Sequence, residues 1–445
     1  MSKDVARNIV LIVHYFPPIN SSGAKRMEAM AKFFARSGRN VAVLAPTKTA
    51  ADGEFTEQPP EGVELIELDW VGRARASAAA EVTRAPPSNS SGATTMRRIK
   101  DFVMRWFGQL PDPRLPFAFG MLSPALDARA QKVLRDADVV VATCPPWAIL
   151  LAGIFARMRF NVPVVLDYRD QFSYCHEMPG SRAAKWVEAV VDKALTRRAA
   201  GVVTISEPMA DYYRSFYEDV TVILNGYDPE RVDAARRIVQ WQPRPPGGPL
   251  VIRYLGIITP GRIPRHLLEA LDRLNQTGKL RSQLMRFEFY GDCQLLEQTI
   301  ADQHPGIAGM FHFLPKVPYD RSLELSATAD HLLFCENAIP PKPGQQSSAS
   351  GILTTKLFEY LASGRPVVAD ISPSTLAGDM IVRAGDHHFV ANTTLAFEEF
   401  LSSDRFWTPV ETKDVSFVRT LSRASQADQY LAKLDEISAK SAEAG

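Results

Sequence analysis

The feature that most limits how this chain can fold is a repeating unit, a short apolar run without polar alternation followed by a longer stretch of helical periodicity. Seven such runs fill the first half: NIVLIVHYF, VAVLAPT, VELIELD, DVVVATC, PVVLDYRD, GVVTISE and VTVILNG. Six follow in the second: LVIRYLG, RFEFYGD, MFHFLP, HLLFCE, RPVVAD and HHFVA. Apolar runs with no polar side suit strands buried on both faces, as in a parallel sheet covered by helices. Their alternation with helices predicts a doubly wound α/β architecture. The chain has 445 residues, which implies two cores of roughly 200 residues each. Proline and glycine in WQPRPPGGP, residues 241–249, break any regular element and mark the linker. The expected domains are 1–240 and 249–415, with a closing helical segment in 416–445 that packs across them. A Ser-, Ala-, Thr- and Pro-rich stretch at 77–95 reads as a flexible insert.

Composition narrows the function classes. A formal net charge of +1 gives no global field toward nucleic acid, which is therefore not an expected partner. The four cysteines, Cys144, Cys175, Cys293 and Cys335, are too scattered for a disulfide framework or a zinc site and read as reduced. No Asp-x-Asp pair follows a strand, and no metal is expected. The N-terminal apolar run is too short for a signal peptide, and no stretch approaches the roughly 20 apolar residues of a membrane span. The expected location is cytoplasmic, including the inner face of the plasma membrane.

Residues 351–368, GILTTKLFEYLASGRPVV, carry the strongest local signal. Leu357, Tyr360 and Leu361 mark an apolar helix face, Thr354 is placed as N-cap, and Ser363-Gly364 ends the helix. The N-terminus of such a helix offers N–H groups and a positive dipole end to a phosphate. Glu359, one turn in, is placed to accept hydrogen bonds from ribose hydroxyls. The alternative from spacing alone is a solvated helix face on which Glu359 pairs with Lys356. No G-x-G-x-x-G is present, which argues against a dinucleotide cofactor. In VVLDYRDQF, Asp167, Arg169 and Asp170 fall at the carboxyl edge of the first sheet, where open α/β folds bind ligands. Residues 96–110, MRRIKDFVMRWFGQL, form a basic, aromatic-rich amphipathic pattern that suits either a membrane interface or packing on a core.

KLFEYLASGRPVV resembles the corresponding helix and strand of GT-B glycosyltransferases, specifically the retaining family GT4. YLGIITPGRIPRHLLEAL, residues 254–271, resembles that family's strand, loop and helix, in which a basic residue neutralises the donor diphosphate. HYFPPINSSGAKR resembles its first β-to-α loop, and VVLDYRDQF its D-x-R-D-x-W stretch with Phe172 in place of Trp. The resemblance implies two Rossmann-like domains facing a central cleft. It implies transfer of a sugar, with retention, from a nucleotide-sugar co-substrate, UDP-linked before GDP-linked, to a sugar or lipid-linked acceptor, without metal. In that setting Arg262, with Arg265 second, would neutralise the diphosphate, and Gly23 would let backbone approach the phosphates. Gly351, Ile352, Leu353, Thr354, Lys356 and Glu359 would hold the donor. Asp170 would orient the acceptor or assist its deprotonation. The family's earlier Glu, eight residues before Glu359, is here Gly351. Polysaccharide or lipopolysaccharide assembly is the implied setting. A non-catalytic sugar-nucleotide binder and a GT-B sugar-nucleotide epimerase are the alternatives.

Overall fold

The computed structural model describes residues 5–19, 21–48, 55, 57–69, 106–110, 112–175, 178, 180–242, 245, 247–336, 351, 353–412 and 415–443. The insert expected at 77–95 and most of the amphipathic stretch 96–110 lie outside the described residues. The chain divides into two compact units, one of Met1–Leu224 with Pro341–Ile352 and Gln426–Gly445, the other of Asn225–Pro340 with Leu353–Ser425. The division falls at Leu224–Asn225, ahead of the Pro- and Gly-rich stretch that the sequence marks as linker; the helix Pro229–Ile238 belongs to the second unit.

In the first unit seven strands, β1 Asn8–Ile12, β2 Asn40–Pro46, β3 Val63–Leu68, β4 Val139–Cys144, β5 Val164–Tyr168, β6 Gly201–Thr204 and β7 Val220–Val222, form one parallel sheet in the order β3-β2-β1-β4-β5-β6-β7. Both faces are covered. Val10, Ile12, Val140 and Ala142 enter one apolar core, while Ile9, Leu11, Val139 and Val141 enter the other. This two-sided burial is why these runs lack polar alternation. At the edge, β3 alternates exposed and buried positions. The helix Ala148–Phe160 lies so close to the sheet that a Cβ at Gly153 would stand 2.5 Å from the Ala142 Cβ.

The second unit holds six parallel strands, β8 Leu250–Leu255, β9 Met285–Tyr290, β10 Phe311–Leu314, β11 His331–Cys335, β12 Val367–Asp370 and β13 Phe389–Ala391, in the order β10-β9-β8-β11-β12-β13. Its core gathers Ile252, Tyr254, Phe287, Phe289, Leu333 and Val368 with Leu267, Leu268 and Leu271 of the helix Arg265–Gln276. Arg253 faces Glu288 across β8 and β9 and pairs with it at 2.7 Å. Each sheet reverses its strand order once, between β1 and β4 and between β8 and β11. In doubly wound sheets ligands bind outside the carboxyl ends of the strands at such a reversal.

The closing pattern is two helices, Ser416–Thr420 and Arg423–Glu443. No helix among the described residues is long and apolar enough to cross a membrane, and all four cysteines are free thiols.

Candidate functional site

In the second unit the candidate residues converge at the reversal between β8 and β11. After β8 the chain turns at Gly256 with φ +139, and after β9 at Gly291 with φ +127, conformations that L side chains rarely adopt. A Cβ at Gly291 would lie 2.4 Å from the Gly256 carbonyl oxygen, so the two turns pass backbone against backbone. A Cβ at Gly256 would meet the Lys356 ammonium at 2.4 Å, so glycine is what admits this lysine. Its Nζ donates to the Tyr254 hydroxyl at 2.9 Å and lies 4.2 Å from that ring's centroid. Arg262 closes a short turn, Pro260–Arg262, and its guanidinium pairs with Glu336, just past β11, at 3.1 Å. That pair spans the strand reversal.

Glu336 is the carboxylate paired with Arg262, whereas the hydrogen-bond partner of Lys356 is a neutral phenol, so the cluster suits an anion. Desolvation, with the nearby Arg262 charge, pulls the half-buried Lys356 down to about 8. Glu359 accepts from the Tyr319 hydroxyl at 2.7 Å. Lys356 and Glu359 thus turn toward separate tyrosines, which replaces the intrahelical pair that spacing alone allows. The helix runs Thr355–Ala362, with Thr354 as N-cap residue in extended geometry. Its side chain makes no capping bond, and Thr354 Oγ1 is buried without a hydrogen-bond partner. The Leu353 carbonyl accepts from Asn225 Nδ2 at 3.4 Å.

Gly351 stands apart from this helix. It is grouped with the first unit, where its carbonyl accepts from Ser206 Oγ at 2.6 Å. Ile352 lies outside the described residues. Arg265 is exposed at the start of its helix, whose first-turn N–H groups at His266 and Leu267 are taken by Asp370 Oδ2 at 2.9 and 3.2 Å. Asp370 thereby occupies a helix N-terminus otherwise open to an anion.

In the first unit the reversal between β1 and β4 is bridged by Arg169. Its guanidinium donates to the Gly23 carbonyl and, at 2.9 Å, to that of Pro145. A Cβ at Gly23 would meet the Tyr15 ring at 3.2 Å. The fully buried Asp167 pairs with Arg26, at 2.9 Å, and accepts from Thr143 Oγ1 at 3.0 Å. Two neighbouring carboxylates, Asp170 and Asp167, oppose the desolvation that lowers Arg169. Asp170 is exposed at the carboxyl edge.

Tyr254, Tyr319 and Glu336 were not singled out by sequence. The available signals were modest: Tyr254 and Glu336 end or follow apolar runs, and Tyr319 opens a helix after Pro318.

A family model described as Glycosyl transferase 4-like domain matches residues 23–226. No curated protein matches in sequence. Among solved structures, a glycosyltransferase from Rickettsia africae ESF-5 aligns over 96% of this chain and 98% of its own, at 14% identity and TM-score 0.56. Sucrose-phosphate synthase from Thermosynechococcus elongatus aligns over 95% and 96%, at 14% and 0.56. The α,α-trehalose 6-phosphate synthase of Burkholderia multivorans aligns over 98% and 99%, at 11% and 0.56. The fold is therefore that of the GT-B glycosyltransferases, two parallel sheets with alternating helices.

Proposed function

We propose that this protein is a retaining glycosyltransferase that moves a sugar from a nucleotide-sugar donor, UDP-linked before GDP-linked, to a sugar or lipid-linked acceptor in glycoconjugate assembly. The observation that carries the reading is the gathering of two cations, Arg262 in the turn after β8 and Lys356 in the first turn of the helix Thr355–Ala362, at the strand reversal of the second sheet, with the carboxylate Glu359 one turn further along that helix. Arg262 and Lys356 take the diphosphate, the backbone of Leu353 and Thr354 supports it, and Glu359 holds the ribose. Exposed Arg265 adds long-range attraction, and Gly23 lends backbone to the phosphates. As the bond from the anomeric carbon to the phosphate oxygen breaks, its electron pair stays on the diphosphate. Fixed cations stabilise that charge without proton transfer or metal. The acceptor oxygen bonds the anomeric carbon, and Asp170 orients its hydroxyl or takes its proton. Residues 96–110 supply a peripheral membrane contact at the cytoplasmic face.

The test is calorimetry of UDP, GDP and ADP against wild type and Glu359→Ala. One nucleotide is expected to bind wild type and to be lost in the variant; if none binds, the donor site is wrongly placed. Gly351, where the resemblance calls for Glu, favours a second reading as a binder without turnover. Donor that binds yet is neither transferred nor converted would select it, and conversion of donor alone would select an epimerase.

Lys356 adds a pH signature. Its ammonium is charged below about 8 and neutral above, so nucleoside-diphosphate affinity is expected to fall as pH rises through that value. Lys356→Arg, whose guanidinium stays protonated, should flatten the profile between about pH 7 and about pH 9. A wild-type profile already flat across that window would remove Lys356 from the phosphate site.

A further inference from the structure

The helix Arg182–Thr196 in the first unit is divided unusually by charge. Its inward face buries Ala184, Ala189 and Leu195 together with both of its acidic residues, Glu188 and Asp192. Glu188 accepts from the Gln109 N–H at 2.6 Å and pairs with Lys185 at 2.9 Å. Asp192 accepts from the Tyr168 and Ser173 hydroxyls at 2.8 and 2.6 Å. What remains outside is Arg182, Ala183, Trp186, Val187, Val190, Lys193 and, immediately past the end, Arg197. Trp186 is 65% exposed and Val190 47%, unusual for side chains of this size with buried space available. Among the described residues of this helix the exposed ones therefore give an apolar centre, cations toward both ends, and no carboxylate.

A second exposed aromatic pair adjoins it. Trp106 and Phe107 are 55% and 56% exposed, and their segment is fastened to this helix: Ser181 Oγ donates to the Trp106 carbonyl at 2.7 Å, beside the Gln109 bond to Glu188. Gln109 Nε2 also donates to the Phe172 carbonyl at 2.6 Å, two residues beyond Asp170. The helix begins on the same carboxyl edge of the sheet that carries Asp170, since it returns from β5 to β6.

We propose that Trp106, Phe107, Trp186, Val187 and Val190, flanked by Arg182, Lys193 and Arg197, form a surface that docks on an anionic lipid bilayer. Tryptophan and phenylalanine seat at the boundary between headgroups and acyl chains, while arginine and lysine reach up to headgroup phosphates. Charge decides among occupants. A second copy of the chain would set a carboxylate-free cationic face against itself, and like charges across an isologous contact repel. An anionic membrane complements both the apolar centre and the cationic ends. The surface extends the peripheral contact proposed through residues 96–110 to a helix outside that segment, and it stands whether or not the donor site is correctly assigned.

The experiment is sedimentation of the full chain with phosphatidylcholine vesicles, with and without phosphatidylglycerol, in the absence of any nucleotide. Wild type is expected to sediment with the anionic vesicles and to be released by salt. The double variants Trp186→Ser with Val190→Ser, and Lys193→Glu with Arg197→Glu, should each weaken binding by about tenfold or more. These side chains are exposed, so the far-ultraviolet circular dichroism should be unchanged. The proposal is overturned if wild type stays in the supernatant or if both variants sediment like wild type. It is equally overturned if ultracentrifugation without lipid shows a dimer that the Trp186 variant dissolves, which would assign the face to a second copy. Because no donor enters this assay, its failure is separate from a failure of nucleotide binding.

Discussion

Lys356→Ala is expected to lower kcat/KM for sugar transfer by about a hundredfold to a thousandfold, about 3–4 kcal/mol of transition-state stabilisation, with the chain still folded. The departing nucleoside diphosphate gains charge as the glycosidic bond breaks, and a cation fixed before the reaction pays no reorganisation cost in meeting it. Lys356 is fixed in this sense by the Tyr254 hydroxyl and by the space that Gly256 leaves open. Its depressed affinity for a proton shows that the free site holds the ammonium reluctantly, so an anion beside it gains more than it would from a solvated lysine. Folding should survive because the Tyr254 hydroxyl still donates to the Ile257 carbonyl at 2.9 Å, and no buried donor is stranded by the truncation. Steady-state kinetics read the loss. Activity within threefold of wild type, with circular dichroism unchanged, would assign the charge stabilisation to Arg262 alone.

The contrast between Lys356 and the first-unit residues shows what a sequence discloses and what it withholds. The apolar runs correspond to the seven and six observed strands, because burial on both faces leaves a continuous local trace. The helix ending at Gly364, with φ +75, was likewise readable from spacing and from a glycine stop. Pairing was not readable. Asp167 lies two residues from Arg169 in sequence, yet its ion-pair partner is Arg26, 141 positions away, while the Arg169 guanidinium is taken up by the Gly23 and Pro145 carbonyls. Asp370 capping His266 and Leu267 spans a comparable separation, and nothing local distinguishes it from a ligand-binding carboxylate. Tyr319 reaches Glu359 across 40 positions. Gly351 looked continuous with the helix it precedes, but its carbonyl is held by Ser206 in the first unit. Local pattern reports burial and stops; it does not report which strand end faces which.

Asp167→Ala should therefore act on stability and not on chemistry, destabilising the first unit by about 3–5 kcal/mol. Arg26 is buried, and its guanidinium is divided between Asp167, at 2.9 and 3.4 Å, and the Leu224 carbonyl, at 2.6 Å. Removing the carboxylate leaves a buried cation with one neutral acceptor, and Thr143 Oγ1 loses its acceptor as well. The loss is far larger than for an exposed pair such as Arg214 with Glu207, where solvent replaces the partner. Arg26→Met combined with Asp167→Leu removes both charges and fills the space with apolar atoms, so it should recover most of the loss. Denaturant unfolding, with urea midpoints for Arg26→Met, Asp167→Leu and their double, measures the coupling. If Asp167→Ala unfolds at the wild-type midpoint while donor turnover falls, the pair is serving the reaction; if the double variant is no more stable than the single, the site requires the charges and not merely their mutual cancellation.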